Sequence, residues 1–380
     1  MTAENRIPFN RPPVTGLEAG YVADAVESGQ LAGNGPFTRR AEKWLEAATG
    51  APRVFLTASC TLALEMATLL IDLRAGDEVI VPSFSFVSTA NPVVLRGAIP
   101  VFVDIRADTL NLDERLVEEA VTPRTRAVIA MHYAGVGCGM ERICALAADR
   151  GIEVIEDAAQ CLLARSDGRH LGTQGAYGAI SFHDTKNVTS GEGGALLVNR
   201  PEDVERAEIV YEKGTNRTAF SLGRVERYTW VDIGSSYMPS ELAAAFLCGQ
   251  LERAGELTAR RLEIWHAYHH AFAEAERLER VRRPVVPPGH DHNGHLYYLL
   301  LPDQAGRDAL IQALARRGVQ APFHYVPLHN SPAGTRFGRT AGDLSITDSV
   351  SSRLIRLPLW AGMPDTDVER VVDAVLAELP

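Results

Sequence analysis

The sequence lacks the features of an extracellular or membrane-spanning protein. Its five cysteines are an odd number and contain no CxxC pair, which argues against a disulfide framework and against a zinc site. No stretch reaches the roughly 18 consecutive apolar residues that a bilayer-spanning helix needs. The first ten residues, MTAENRIPFN, contain no basic segment followed by an apolar run. We therefore expect no signal peptide and a cytoplasmic location.

An excess of positive charge is also missing. The formal net charge is -10 at pH 7, whereas nucleic acids and anionic membranes attract basic surfaces. Neither is therefore expected as a partner, and an anionic small molecule would have to meet local basic residues.

The length and composition are those of a globular protein with more than one core. The chain has 380 residues, of which 46% are hydrophobic and 23% charged, and a chain of this size usually divides into domains. After about residue 249 the sequence predicts a long helix, rich in Arg, Glu and Ala, over residues 251–277, then a strand over 296–301 and a helix over 308–317. We predict a large domain over residues 1–250 and a small α+β domain over 251–380.

Short apolar runs alternate with helix-like stretches between residues 54 and 199. Near-continuous apolar runs with helical connections predict a mostly parallel sheet that is covered on both faces, and hence an α/β fold. The runs are VFL at 54–56, EVIVPS at 78–83, VFVDI at 101–105, AVIAMHY at 127–133, EVIED at 153–157, AISFH at 179–183 and ALLVN at 195–199.

Polar residues follow several of these strands, where functional groups of open parallel sheets gather. The segment TASCT at 57–61 leaves a strand and enters a helix, and a helix start of this kind binds phosphate or is simply capped by Ser59 or Thr61. Asp157 ends the EVIED strand. A buried carboxylate needs a partner, and a protonated pyridine nitrogen suits it, although capping of the next helix is the plainer alternative.

A lysine follows the AISFH strand. Lys186 lies between SFHDT and the glycine-rich segment TSGEGG, whose glycines permit close backbone approach. Lysine forms Schiff bases with aldehydes when burial keeps it neutral, although a lysine in a polar loop is usually solvated. Phe86, in PSFSFVST, either stacks on a planar ring or packs in the core.

These segments, taken in order, resemble the DegT/DnrJ/EryC1/StrS family of sugar aminotransferases, which are fold-type I pyridoxal-phosphate enzymes. The resemblance rests on TASCT, PSFSFVSTAN, EDAAQ, SFHDTKN and GEGG. It continues through EKGTNR, YTWVDIGSSY, FHYVPLH and RLPL, and so covers nearly the whole chain. Within the family, the sequence looks most similar to transaminases that act on dTDP-4-keto-6-deoxy-D-glucose.

The resemblance implies a role for each matching residue. Lys186 would bond covalently to pyridoxal 5'-phosphate, and Asp157 would keep the ring nitrogen protonated, which makes the cofactor an electron sink. Many relatives supply an asparagine from the partner subunit to the phosphate in a G-x-N-Y segment, where this chain has Ser236. The remaining implied contacts are the Cys60 backbone, Thr61 and Ser181 to the phosphate, Gln160 to the ring oxygen, and Phe86 to the ring face.

The implied reaction moves an amino group from L-glutamate to C4 of dTDP-4-keto-6-deoxy-D-glucose. The products would be 2-oxoglutarate and dTDP-4-amino-4,6-dideoxy-D-hexose, of either the gluco or the galacto configuration. Lys213 and Arg217 are either contacts to the pyrophosphate or a solvated pair. His183, Tyr325 and His329 are expected to line the sugar pocket. A homodimer with shared active sites is expected from the same resemblance.

Other interpretations stay open at this point. A sugar dehydratase of the same fold typically has histidine where Lys186 stands, and a non-catalytic nucleotide-sugar sensor would not need Lys186, Asp157 and Gln160 together. An aminotransferase for a 3-keto sugar differs only in regiochemistry. The histidines at 290, 292 and 295 follow a Pro-Pro-Gly turn and are interpreted as loop residues, so no metal is predicted.

Overall fold

The computed structural model describes residues 6–379, and within them most of the chain is helix or strand. The helices are α1 (Glu18–Glu27), α2 (Pro36–Thr49), α3 (Cys60–Leu70), α4 (Val87–Leu95), α5 (Glu114–Ala120), α6 (Met140–Arg150), α7 (Val204–Tyr211), α8 (Arg217–Ser221), α9 (Glu241–Leu251), α10 (Ala254–Ala271), α11 (Ala273–Arg277), α12 (Gln304–Arg316), α13 (Pro332–Phe337), α14 (Ser345–Arg353) and α15 (Asp365–Glu378). The strands are β1 (Arg53–Thr57), β2 (Glu78–Pro82), β3 (Ile99–Val103), β4 (Thr125–Met131), β5 (Glu153–Asp157), β6 (Arg165–Ser166), β7 (Arg169–His170), β8 (Tyr177–Ser181), β9 (Gly194–Val198), β10 (His290–Asp291), β11 (Tyr297–Leu300), β12 (Arg339–Thr340) and β13 (Leu354–Leu357).

The central element is an eight-stranded sheet in the order β1-β9-β8-β5-β4-β2-β3-β12. β9 runs antiparallel to both of its neighbours, and the remaining neighbouring pairs are parallel. Each of the seven predicted runs overlaps one of these strands. The predicted α/β fold with a mostly parallel sheet is confirmed.

Both faces of the sheet are covered, which explains why its strands read as continuous apolar runs. On β2, Val79 and Val81 pack into the cluster around α3, whereas Ile80 between them packs into the cluster around α5 and α6. Successive side chains of a strand point to opposite faces, so a strand buried on both sides needs apolar residues at every position.

The C-terminal part of the chain has a core of its own. β11 and β13 form an antiparallel pair, and α10, α12 and α15 pack around it. The part is not self-contained, because β12 adds to the central sheet beside β3. The division at residues 250 and 251 remains a prediction.

The predicted long helix over residues 251–277 is wrong. α9 ends at Leu251, α10 starts at Ala254, and Phe272, with φ of -92° and ψ of 7°, separates α10 from α11. Phe272 is fully buried in the C-terminal core, so packing of this ring fixes the bend where propensity alone favours a continuous helix.

Within residues 6–379, no helix is both long enough and apolar enough to cross a bilayer.

Candidate active site

A cavity of about 580 Å³ opens beyond the carboxyl ends of β1, β5 and β8. Two groups of residues form most of its polar lining. We call the first group the sheet wall, and it consists of Ser59, Cys60, Thr61, Phe86, Asp157, Gln160, Ser181 and Lys186. We call the second group the C-terminal wall, and it consists of His295, His324, Tyr325 and Arg356.

Asp157 is the last residue of β5 and is 4% exposed. The Thr89 hydroxyl donates to Asp157 Oδ2 at 2.7 Å, and Ser85 supports Thr89 at 2.5 Å between their hydroxyl oxygens. The Ala159 N–H donates to Oδ1 at 3.2 Å. Within residues 6–379 no lysine, arginine or histidine forms an ion pair with this carboxylate. These hydrogen bonds hold Asp157 in place and leave its carboxylate without an ion-pair partner.

A second buried carboxylate fixes the end of the same strand. Glu156 accepts hydrogen bonds from the N–H groups of Gly172 at 2.8 Å and Gly175 at 2.6 Å, and lies 2.8 Å from His132 Nε2. Burial alone would raise the pKa of Glu156, but these bonds outweigh it and the pKa lies below its ordinary value. The satisfied Glu156 therefore anchors the segment that carries Asp157.

Lys186 follows β8 in a turn in which its N–H donates to the His183 carbonyl at 2.9 Å. Its side chain lines the cavity. Burial lowers the pKa of Lys186, although the nearby Asp157 carboxylate opposes the shift. Among residues 6–379, none accepts a hydrogen bond from its amine. A lysine in this setting has a larger neutral fraction than a solvated one and is available as a nucleophile.

The backbone at the start of α3, residues 59–61, lies very close to the backbone of Gly194. Ser59 caps α3 by accepting a hydrogen bond from the Leu62 N–H at 3.2 Å, while the Thr61 hydroxyl lies 2.7 Å from that of Ser88. A Cβ on Gly194 would lie 2.3 Å from the Cys60 nitrogen, so only glycine fits there. Burial, reinforced by Asp157, raises the pKa of the Cys60 thiol, which therefore stays protonated.

Gln160 links the two walls. Its side-chain oxygen accepts from the Ala134 N–H at 2.7 Å, and its Nε2 donates to the Tyr325 hydroxyl at 3.0 Å. The predicted Tyr325 therefore lies in the cavity together with Gln160. Phe86 precedes α4 and is 57% exposed, so it does not pack in the core and its ring is free to stack. His183 lines the cavity and is held by Thr185 at 2.9 Å.

The C-terminal wall contains residues that sequence reasoning did not select. Burial lowers the pKa of His295 and of His324 well below the ordinary histidine value, so both rings are neutral. His324 Nδ1 lies 3.1 Å from the Tyr133 hydroxyl, and His295 Nδ1 lies 2.9 Å from Asn187 Oδ1. Arg356 is thus the permanent cation of this wall. The segments FHYVPLH and RLPL contained His324 and Arg356, but nothing local indicated that they face the cavity.

Four predicted site residues lie outside the cavity lining of their own chain: Lys213, Arg217, Ser236 and His329. The prediction that His329 lines the pocket is wrong, because its Nδ1 lies 2.7 Å from the Ser83 hydroxyl and holds that loop to β2. Lys213 occupies a turn at positive φ, Arg217 begins α8, and Ser236 pairs with Glu212. All three residues are exposed to solvent.

The histidines after the Pro-Pro-Gly turn have separate partners. His290 lies beside Ser166, His292 packs against Trp265, and His295 faces Asn187. Across residues 6–379, no group of three or more His, Cys, Asp or Glu side chains is arranged to hold a metal ion.

Several known proteins are similar to this chain over nearly its whole length. The spore coat polysaccharide biosynthesis protein SpsC of Bacillus subtilis is 34% identical over an alignment that covers 97% of this chain and 96% of that protein. The crystal structure of the aminotransferase TlmJ from Streptoalloteichus hindustanus is 33% identical, with a TM-score of 0.89 and 98% of both chains covered.

Solved forms of one further relative bear on the cofactor. Streptococcus pneumoniae Spr1654 has PLP and PMP forms that are 26% and 27% identical to this chain, with TM-scores of 0.89 and 0.90. The PMP form covers 98% of both chains. Together with a match of residues 14–376 to the DegT/DnrJ/EryC1/StrS aminotransferase family, these relatives confirm the fold-type I architecture and pyridoxal 5'-phosphate as the cofactor. The chain belongs to the DegT/DnrJ/EryC1/StrS aminotransferase family.

Proposed function

We propose that the protein transfers an amino group from L-glutamate to C4 of dTDP-4-keto-6-deoxy-D-glucose. The products are 2-oxoglutarate and dTDP-4-amino-4,6-dideoxy-D-hexose of gluco or galacto configuration. One observation carries the proposal: a lysine amine with a lowered pKa lines the same cavity as a buried carboxylate that has no cationic partner. Lys186 and Asp157 therefore complement an aldehyde and a protonated pyridine nitrogen.

Each chemical group of pyridoxal 5'-phosphate has a suitable residue on the sheet wall. Lys186 would hold the cofactor through its aldehyde, and Asp157, held by Thr89, would accept a hydrogen bond from the ring N–H. The N–H groups at the start of α3, together with Ser181, would bind the phosphate. Phe86 would cover a ring face. When bound, the cofactor withdraws electrons from the substrate carbon attached to its nitrogen, which makes a proton on that carbon acidic.

Lys186 also has the position of a proton carrier. In the first half of the reaction, the amine of Lys186 would take a proton from the α-carbon of the donor. In the second half, it would give a proton to C4 of the sugar. The lowered pKa suits this role, because a catalytic base works best when its pKa is near the working pH. The sugar face turned toward Lys186 then decides between the two C4 configurations.

The size and lining of the cavity support a sugar substrate. About 580 Å³ lies within the usual range for small-molecule sites. The Tyr325 hydroxyl and the His183 ring offer hydrogen bonds to sugar oxygens, and both lie on the cavity surface. The name of the relative SpsC, which refers to polysaccharide biosynthesis, favours the same substrate class.

The exposed apolar surface around residues 217–233 supports a homodimer with shared active sites. Trp230 is 78% exposed, Leu222 58% and Val231 50%, and apolar patches of this kind mark interaction surfaces. We infer that a second copy covers this segment. Lys213 and Arg217 then reach the nucleotide pyrophosphate, and Ser236 the cofactor phosphate, of the partner's cavity. A cytoplasmic location is part of the same proposal.

The residues in the cavity argue against two of the alternative functions, the dehydratase and the sensor. A dehydratase of this fold typically has histidine at the position of Lys186, and a sensor without catalysis has no use for Lys186 together with Asp157. A 3-keto-sugar aminotransferase needs the same two residues and differs only in how the sugar lies on the C-terminal wall. An experiment that identifies the aminated carbon of the sugar therefore decides between this alternative and the proposed function.

The test begins with purified protein loaded with pyridoxal 5'-phosphate. The bound cofactor should absorb visible light, L-glutamate should shift that absorbance, and later addition of dTDP-4-keto-6-deoxy-D-glucose should restore it while a 4-amino sugar nucleotide forms. Nuclear magnetic resonance of the product identifies the carbon and its configuration. Lys186→Ala should form no covalent adduct and no product, whereas Lys43→Ala, on the exposed side of α2, should behave as wild type. Conversion of a 3-keto isomer alone would refute the C4 assignment.

A further inference from the structure

His295 lines the cavity just before β11, and its imidazole leaves one ring nitrogen unused. The backbone of the residue is fixed on both sides, because its N–H donates to Asn293 Oδ1 at 3.1 Å and its carbonyl accepts from Arg261. The ring is held through Nδ1, which lies 2.9 Å from Asn187 Oδ1. Among residues 6–379, none pairs with Nε2. Unlike the Nε of Arg356, this nitrogen is not fully buried, so it opens onto the cavity.

The hydrogen bonds of Asn187 determine which nitrogen of the His295 ring carries the proton. Asn187 Nδ2 donates to the Asn293 carbonyl at 2.9 Å, so the other end of the amide, Oδ1, faces His295. An amide oxygen only accepts, and Nδ1 of the ring must therefore donate. Turning the amide would bring two acceptor oxygens to 2.9 Å from each other. Because the ring is neutral, Nε2 holds a lone pair and can only accept.

The other histidines that line the cavity are not constrained in this way. His183 Nδ1 lies 2.9 Å from the Thr185 hydroxyl, and His324 Nδ1 lies 3.1 Å from the Tyr133 hydroxyl. A hydroxyl both donates and accepts, so neither contact decides which nitrogen of its ring carries the proton. In the described part of the cavity lining, His295 is thus the histidine whose surroundings commit its free nitrogen to accepting.

A lone pair fixed in this position selects a ligand group that donates. Carboxylate and phosphate oxygens only accept when ionised, whereas a sugar hydroxyl donates. Asn187 directly follows Lys186 in the chain, so its bond to His295 fixes the imidazole beside the lysine. In the proposed function, C4 of the sugar lies at the Lys186 amine. The nearest hydroxyl of that sugar is then on C3, since C5 carries the ring oxygen and a methyl group.

We propose that Nε2 of His295 accepts a hydrogen bond from the C3 hydroxyl of the sugar, which makes His295 a specificity-determining residue. The inference rests on the proposed function, since it assigns a contact of the same substrate in the same cavity. A sugar without this hydroxyl removes water from Nε2 and offers no donor in return. Sites that hydrogen-bond a substrate hydroxyl reject analogues that lack it for this reason.

The experiment measures binding of two sugars that have no ketone and therefore cannot react. Calorimetry on the cofactor-loaded protein compares dTDP-6-deoxy-D-glucose with dTDP-3,6-dideoxy-D-glucose. Wild type should bind the sugar with the C3 hydroxyl roughly 3- to 10-fold more tightly. A third probe, dTDP-3,6-dideoxy-3-fluoro-D-glucose, carries at C3 a small atom that cannot donate. It should bind as weakly as the 3-deoxy sugar.

Two substitutions of His295 and one control test the residue itself. His295→Asn keeps an N–H near the position of Nδ1 for Asn187 but has no atom at the position of Nε2, so the preference for the C3 hydroxyl should fall to about 1. His295→Gln places an amide near the position of Nε2, and its oxygen should restore part of the preference. His270→Asn changes an exposed histidine on α10 and should keep the wild-type preference.

Three results would overturn the contact. The first is a wild-type protein that binds the hydroxy and deoxy sugars equally. The second is a fluoro sugar that binds as tightly as the hydroxy sugar, because the C3 group then accepts rather than donates. The third is an unchanged preference in His295→Asn, even with both sugars bound more weakly, which would assign the ring to positioning the segment of Lys186.

The design also separates this inference from the proposed function. Binding of these sugars needs no turnover, so a protein that fails to aminate dTDP-4-keto-6-deoxy-D-glucose refutes the proposed reaction while the binding ratio still decides on His295. A wild-type protein that binds none of the sugars refutes both. Thermal unfolding and the cofactor absorbance report whether each variant folds. Should His295→Asn not fold, the fluoro sugar tests the contact on wild type.

Discussion

The two walls of the cavity differ in which polar group they leave without a partner. On the sheet wall, Asp157 has Thr89 and Thr61 has Ser88, each at 2.7 Å, whereas no residue among 6–379 accepts a hydrogen bond from the Lys186 amine. On the C-terminal wall, His324 has Tyr133 and His295 has Asn187, whereas the Nε of Arg356 is unpartnered. A neutral amine can bond to an aldehyde, and a guanidinium N–H can bind an anion. This difference supports the proposal that the cofactor binds on the sheet wall and that the exchanging substrates meet the C-terminal wall.

The largest effect is expected from removing the charge of Asp157. Asp157→Asn keeps the size of the side chain and one acceptor oxygen for Thr89, but an amide no longer favours a protonated ring nitrogen. We expect turnover to fall at least about 100-fold, with cofactor still bound. Turnover and the cofactor spectrum of the variant provide the check. Activity within a few-fold of wild type would mean that the sheet wall does not act on the ring.

A smaller effect is expected from Thr89, which orients Asp157 without touching the cofactor. Thr89→Val keeps the shape and removes the hydroxyl, so Asp157 Oδ2 loses its donor at 2.7 Å. A hydrogen bond to a charged group contributes roughly 1.5–3 kcal/mol, and part of this loss should appear as about tenfold weaker binding of pyridoxal 5'-phosphate. Titration of the apo protein with cofactor measures this. Unchanged affinity would show that Asp157 does not depend on Thr89.

A change on the C-terminal wall should leave cofactor binding nearly intact. Tyr325→Phe removes the hydroxyl that accepts from Gln160 Nε2 at 3.0 Å. We expect a several-fold rise in the Michaelis constant for the sugar, and a change of less than about threefold in cofactor affinity. Steady-state kinetics beside a cofactor titration test this. A larger loss of cofactor affinity than in Thr89→Val would contradict the assignment of the two walls.

The smallest effect concerns stability of the apo protein and its dependence on pH. Burial lowers the pKa of Lys186 in the folded chain, so folding disfavours its protonated form. Above the ordinary lysine pKa of about 10.5 the side chain is neutral in both states and costs nothing. As the pH falls below that value, the unfolded chain binds the proton more tightly and the folded state loses stability.

Lys186→Met removes that penalty. The variant without cofactor should therefore melt a few degrees higher than wild type at pH 7, and its advantage should shrink as the pH rises toward 10.5. Thermal melts across this range measure the difference. An advantage that grows with pH would show that burial does not lower the pKa of Lys186.

The sheet wall could be predicted from the sequence because its residues sit at strand ends. Apolar runs indicate the strands, and the next polar residues fall at the same edge of a parallel sheet. What could not be predicted are pairings over long sequence separations. Thr89 meets Asp157 from 68 residues away, and His329 turns to Ser83 rather than to the cavity. Arg356 reaches the cavity only because β13 pairs with β11.

The central claim is that the amine of Lys186 bonds the cofactor aldehyde. Borohydride reduction of the loaded protein fixes any such bond, and peptide mass spectrometry then locates it. The lysines of the chain are Lys43, Lys186 and Lys213. We predict a phosphopyridoxyl group on the peptide of Lys186 and none on the peptides of the other two lysines. Modification of Lys43 or Lys213 with an unmodified Lys186 would contradict it.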